Sequence, residues 1–154
     1  MKTLDQWFEE YSLSHQDPKN KAIHYICVPA IFFSIVGILM SIPNTFLSNI
    51  FHLNLPLIEN WAFIALIFVM IFYFRLSSSM AIKMTAFSLL CLFLNFYISK
   101  FFPLWIFSIS VFVIGWIGQF YGHKIEGKKP SFFKDLQFLM IGPAWVIEKL
   151  FSKK

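Results

Sequence analysis

Four histidines offer this chain its clearest chemistry: His15, His24, His52 and His123. Asn20 and His24 stand at i and i+4, so a helix through them carries both on one face. His15 precedes that helix, with Gln16-Asp17-Pro18 breaking the chain between them. His123 and Glu126 stand at i and i+3, which projects a nitrogen and an oxygen together if helix continues that far. Three imidazoles with an optional carboxylate and open positions suit non-haem Fe(II), and zinc accepts similar ligands, so spacing leaves the metal open. Each residue also has a plainer reading. The histidines can be interfacial polar groups. Asn20 is either a helix cap or a donor that orients a ligand, and Glu126 either a ligand or a partner for nearby lysines. Lys128 and Lys129 either set orientation or grip a substrate carboxylate. Gly-rich phosphate loops, Ser-His-Asp arrangements and GxSxG elbows are missing from the sequence, which argues against nucleotide chemistry.

What must position these side chains is dictated by composition. Of 154 residues, 58% are apolar, 20% are aromatic with 21 phenylalanines, and only 14% are charged, so the surface is not that of an ordinary water-soluble domain. Apolar segments at roughly 23–41, 59–75, 79–99 and 101–121 are each about long enough to cross a ~30 Å hydrocarbon layer as helix. Lipid cannot satisfy free backbone groups, and these continuous runs lack a barrel's alternation, so the expected fold is all-α: an integral-membrane four-helix bundle. Pro29 should kink the first span and Pro43-Asn44 end it. Arg75 with Ser77-Ser78-Ser79, and Lys100 with Pro103, divide the later spans.

Both ends of the chain read as amphipathic helices lying along the interface. In residues 1–17, Leu4, Trp7, Phe8 and Tyr11 repeat opposite Asp5, Glu9 and Glu10, with Thr3 and Gln6 at capping-box spacing. Residues 131–151 mix apolar groups with charge, and Pro143 should bend or divide them. One membrane domain over 1–154 accommodates all of this, and no signal peptide is expected, because Asp5, Glu9 and Glu10 interrupt the N-terminus.

Net charge is +5, yet the basic residues lie between apolar runs and form no stripe for nucleic acid. Four spans place every lysine and arginine but Lys100 on one side, which predicts cytoplasmic termini. The even number of spans lets His15, His24 and His123 meet at one face while His52 falls on the other. Cys27 and Cys91 sit in apolar stretches and read as small hydrophobes, without disulfide or zinc spacing.

Two separated motifs carry a resemblance. The stretch YSLSHQDPKNKAIHYICVP resembles the N-terminal signature of membrane-bound 2-hydroxy fatty acid dioxygenases, with His15, Pro18, Asn20, His24 and Pro29 at the matching positions. The stretch GWIGQFYGHKIEGKKPSFFKDLQFLMIGP resembles that family's second block through Gly122, His123, Glu126, Lys128, Lys129 and Pro130. The resemblance implies an Fe(II)-dependent dioxygenase with histidine ligands, which converts a long-chain 2-hydroxy fatty acid and O2 into the acid one carbon shorter, CO2 and water. Substrate hydroxyl and carboxylate would chelate the iron, and a Phe-rich apolar channel would take the alkyl chain. Rival readings are a non-catalytic membrane scaffold or small-molecule carrier, and a metal-dependent lipid hydrolase. The sequence leaves oligomeric state open.

Overall fold

Helix boundaries follow from caps that the sequence supplies. A computed structural model describes residues 2–53, 55–127 and 132–151, without the side chains of 132–137. Among the described residues there are seven helices and no strand: α1 (Leu4–Leu13), α2 (Pro18–Met40), α3 (Thr45–Phe51), α4 (Trp61–Leu76), α5 (Ser78–Ile98), α6 (Leu104–Glu126) and α7 (Phe132–Phe151). The expected all-α class holds. α1 opens on the expected capping box, in which Gln6 N donates to Thr3 Oγ1 and Thr3 N donates to Gln6 Oε1.

α2 begins earlier than the apolar run suggests. Asp17 Oδ1 accepts from Lys19 N at 2.7 Å and Asn20 N at 3.2 Å, and Pro18 opens the helix without needing a donor. The cap is therefore Asp17, and Asn20 stays free for other work. Pro29 and Pro143 both sit inside continuous helices, so neither divides its segment. Ser77 ends α4 and caps α5, whose Met80 N donates to its hydroxyl. α3 was not expected from the sequence.

Three helices, α2, α5 and α6, are long and apolar enough to cross a membrane. α4 is apolar but has 16 residues, short of the ~20 that a full crossing takes. Large apolar groups such as Phe68, Ile82, Ile114 and Ile117 lie more than 60% exposed, as lipid-facing side chains do.

The chain divides into two compact units, Met1–Phe32 with Phe112–Lys154, and Phe33–Val111. In the second, α4 and α5 pack as a hairpin, and Thr85 Oγ1 contacts Met70 Sδ at 3.1 Å. Asn95 Nδ2 donates to Phe33 O and Cys91 O, the helix-linking role that polar groups in apolar helices fill. Cys27 and Cys91 are both free thiols.

In the first unit, helix α6 approaches α2 closely at Gly118, where a Cβ would come 2.5 Å from Cys27 Sγ. α1 packs against α7. Residues 141–147 of α7 are all buried, so this stretch packs inside the unit. Gly127, at φ +71°, ends α6 one residue beyond Glu126.

Candidate metal centre

Three pairs at i and i+4 build the site within the first unit. Tyr11 lies in the last turn of α1 and His15 in the turn just beyond it, Asn20 and His24 open α2, and Gln119 and His123 close α6; all six are buried. Ring centroids stand 4.3 Å apart for His15 and His24, 5.0 Å for His24 and His123, and 5.4 Å for His15 and His123. One nitrogen from each imidazole lies within 4.8 Å of the others, close to the ~4.2 Å that two bonds of ~2.1 Å can span.

Backbone carbonyls select the tautomers. His15 Nδ1 sits 2.7 Å from Tyr11 O and His24 Nδ1 sits 3.0 Å from Asn20 O. A carbonyl only accepts, so each Nδ1 carries the proton and each Nε2 keeps its lone pair. His24 Nε2 is buried without a hydrogen-bond partner. An unpartnered buried lone pair is costly in a protein that binds nothing there, whereas a metal bond satisfies it. The donor set, with two imidazoles oriented by backbone carbonyls, thus fits a divalent ion, which His15, His24 and His123 would hold.

Aromatic side chains fix the ligands from outside. Tyr11 stacks on His15 at 4.1 Å with 11° between planes. Trp145 of α7 packs against Tyr11 and His15, stacks on Tyr25 at 5.7 Å, and donates from Nε1 to Ser12 Oγ at 3.0 Å. Sequence reasoning missed Tyr11, Gln119 and Trp145, although Tyr11–His15 and Gln119–His123 share the spacing that singled out Asn20–His24.

Glu126 stands beside the cluster with both oxygens engaged. Oε1 accepts from Gln16 N at 2.7 Å, and Oε2 accepts from Asp17 N at 2.9 Å and Asn20 Nδ2 at 3.0 Å. The end of α6 is thereby tied to the α1–α2 turn. Asn20 Oδ1 faces Gly122, where a Cβ would lie 2.4 Å from that oxygen and 3.3 Å from His24 Cε1. Only glycine leaves room there for both side chains. Gly122→Ala should cost about 1–3 kcal/mol through overpacking and weaken metal binding, measured as the melting midpoint with and without added metal.

His52, the exposed αL residue after α3, belongs to the second unit and is not part of the three-histidine group. Lys128 and Lys129 lie outside the described residues.

The family model described as 2-hydroxy-palmitic acid dioxygenase Mpo1-like matches residues 1–154, the full length of the chain. The chain belongs to the Mpo1-like family. The expected family is therefore the one found, and its description implies dioxygenase activity within the Mpo1-like group. No curated protein and no solved structure matches the chain significantly. Three buried histidines able to hold a metal ion are compatible with a metal-dependent Mpo1-like dioxygenase.

Proposed function

We propose that this chain is an Fe(II)-dependent dioxygenase that shortens long-chain 2-hydroxy fatty acids by one carbon: R-CH(OH)-COOH + O2 gives R-COOH + CO2 + H2O. The observation that carries the reading is the meeting of three buried imidazoles, two of them oriented by backbone carbonyls, in a chain of the Mpo1-like family. The equation balances without an external reductant, since the substrate supplies the electrons that O2 takes up. When bound, iron supplies the redox chemistry toward O2 that side chains lack.

The residues around the histidines do the remaining work. Tyr11 and Trp145 shield the imidazoles from bulk water, and their packing holds His15 in one orientation. An adjoining cavity of about 20 Å³, lined in part by Val28, Ile31, Gln119 and His123, has room for a water-sized or diatomic molecule. Asn20 orients His24 through its backbone oxygen and links it to Glu126 through its side chain. That supports a positioning role for both Asn20 and Glu126.

Membrane topology follows the same logic. α2 starts at the histidine cluster and α6 ends there. If both cross the bilayer, the chain between them crosses an even number of times, so α4 joins α5 as a tilted or membrane-thinning fourth span. The lysine and arginine distribution then puts both termini in the cytoplasm.

Oxygen uptake tests the reading. Iron-reconstituted protein given 2-hydroxypalmitate should consume one O2 for each pentadecanoate and CO2 formed. A hydrolase would release product without consuming oxygen, and a scaffold or carrier would form none. Either result overturns the proposal.

A further inference from the structure

A second cavity of the first unit, of about 350 Å³, opens beside the histidines. His15 forms part of its wall, Tyr25 and Trp145 stack at 5.7 Å in its lining, and Lys21 and Lys149 reach it from α2 and α7. Its volume lies in the range of small-molecule sites. The lysines are placed by helix periodicity: Lys21 and Tyr25 stand at i and i+4 on α2, and Trp145 and Lys149 at i and i+4 on α7. The Tyr25–Trp145 stack therefore brings the two lysine-bearing faces together. Lys149 Nζ lies 5.9 Å from the centroid of the Trp145 ring.

No acidic side chain among the described residues lines this cavity, and its remaining polar lining groups, Ser12 and Gln16, are neutral. Two cations with no anion among the lining groups, next to an apolar stack and a proposed metal ligand, make a receptor for an anion with an apolar tail. We infer that Lys21 and Lys149 bind the carboxylate of the acyl substrate, with its first methylenes against Tyr25 and Trp145 and its 2-carbon toward His15. The inference rests on the dioxygenase reading for the identity of the acid, and it assigns the carboxylate to residues other than Lys128 and Lys129. Orientation by positive charge alone would require neither the shared cavity nor the stacked rings beneath it.

Binding and turnover separate the inference from the reading on which it rests. In nanodiscs of neutral phospholipid, metal-free protein should bind 2-hydroxypalmitate more tightly than its methyl ester, with the difference shrinking as salt rises. K21Q and K149Q should each weaken binding of the acid by roughly tenfold, the loss of one charge-assisted contact, and leave the ester unchanged. K21R and K149R should retain most of the affinity, and iron content should match wild type in all four variants. With the loaded enzyme, K21Q and K149Q should raise KM and leave kcat largely intact.

Equal binding of acid and ester by wild type, or equal losses of both in the glutamine variants, overturns the inference. So does displacement of the acid by phosphatidylglycerol at equal concentration, which would make the cavity a lipid-headgroup site. If wild type consumes O2 and K21Q/K149Q keeps its KM, the lysine assignment fails and the dioxygenase reading stands. If the lysines govern acid binding but no O2 is consumed, the reverse holds.

Discussion

His24→Ala should abolish metal-dependent stabilisation while leaving the metal-free protein folded. In wild type, a ligand present at about 1,000 times its Kd adds about 4 kcal/mol to stability, so the melting midpoint should climb with added Fe(II) or Zn(II) under anaerobic conditions. The alanine variant should show almost no climb. Its metal-free midpoint should stay close to wild type, because the substitution also removes a buried Nε2 that has no hydrogen-bond partner. Turnover should fall by more than the 10–100-fold typical of residues that merely orient a ligand. His52→Ala is the matched control, since His52 is exposed and is not in the histidine group. A metal-induced shift in H24A equal to that of wild type would end the metal assignment.

Glu126→Ala should be the most damaging substitution outside the three histidines. It removes the acceptor of three hydrogen bonds, from Gln16 N, Asp17 N and Asn20 Nδ2. Hydrogen bonds to a charged group contribute about 1.5–3 kcal/mol each when buried. Because Gln16 is exposed and Glu126 half-buried, about 2 kcal/mol in total is the realistic loss. The melting midpoint of metal-free protein should drop by several degrees, and metal affinity should fall about 10–100-fold as Asn20 and the α1–α2 turn loosen. Glu126→Gln decides between bracing and ligation. It keeps one acceptor oxygen, so a bracing role predicts partial recovery of stability and metal content, whereas ligation predicts metal loss as deep as in H24A.

Much of this architecture is legible from residue types. The Thr3–Gln6 capping box, the paired Asn20 and His24, and the Ser77 and Pro103 boundaries each depend on local chemistry, and local chemistry is what a sequence displays. The convergence of His15, His24 and His123 is expected from the sequence too, and the three imidazoles do meet. Other features depend on partners that a sequence does not print. Glu126 reads as a possible ligand or lysine partner because backbone amides carry no letter, yet amides are what two of its three bonds engage. Asp17 outcompetes Asn20 as the cap because Pro18 suits the first helical position, a preference visible in the sequence and outweighed there by the apolar run. By sequence Trp145 and Lys149 belong to an amphipathic interfacial segment, and only burial of residues 141–147 reveals that α7 supplies a wall of the first unit. α4 shows the limit of hydropathy: the apolar run is there, but Asn60 and Ser77 cap it at 16 residues.

The bond from Gln16 N to Glu126 closes a loop of 110 positions, and the histidines span nearly the same distance. A nascent chain still attached to the ribosome before α6 emerges therefore displays two imidazoles without the third, and so lacks the means to retain an ion. On the proposed metal reading, insertion would come first and loading last, with capture of the ion coupled to the docking of the Glu126 and Gln16 segments. Chain made without metal would then accumulate with these segments loosely held, the form most open to quality-control proteases.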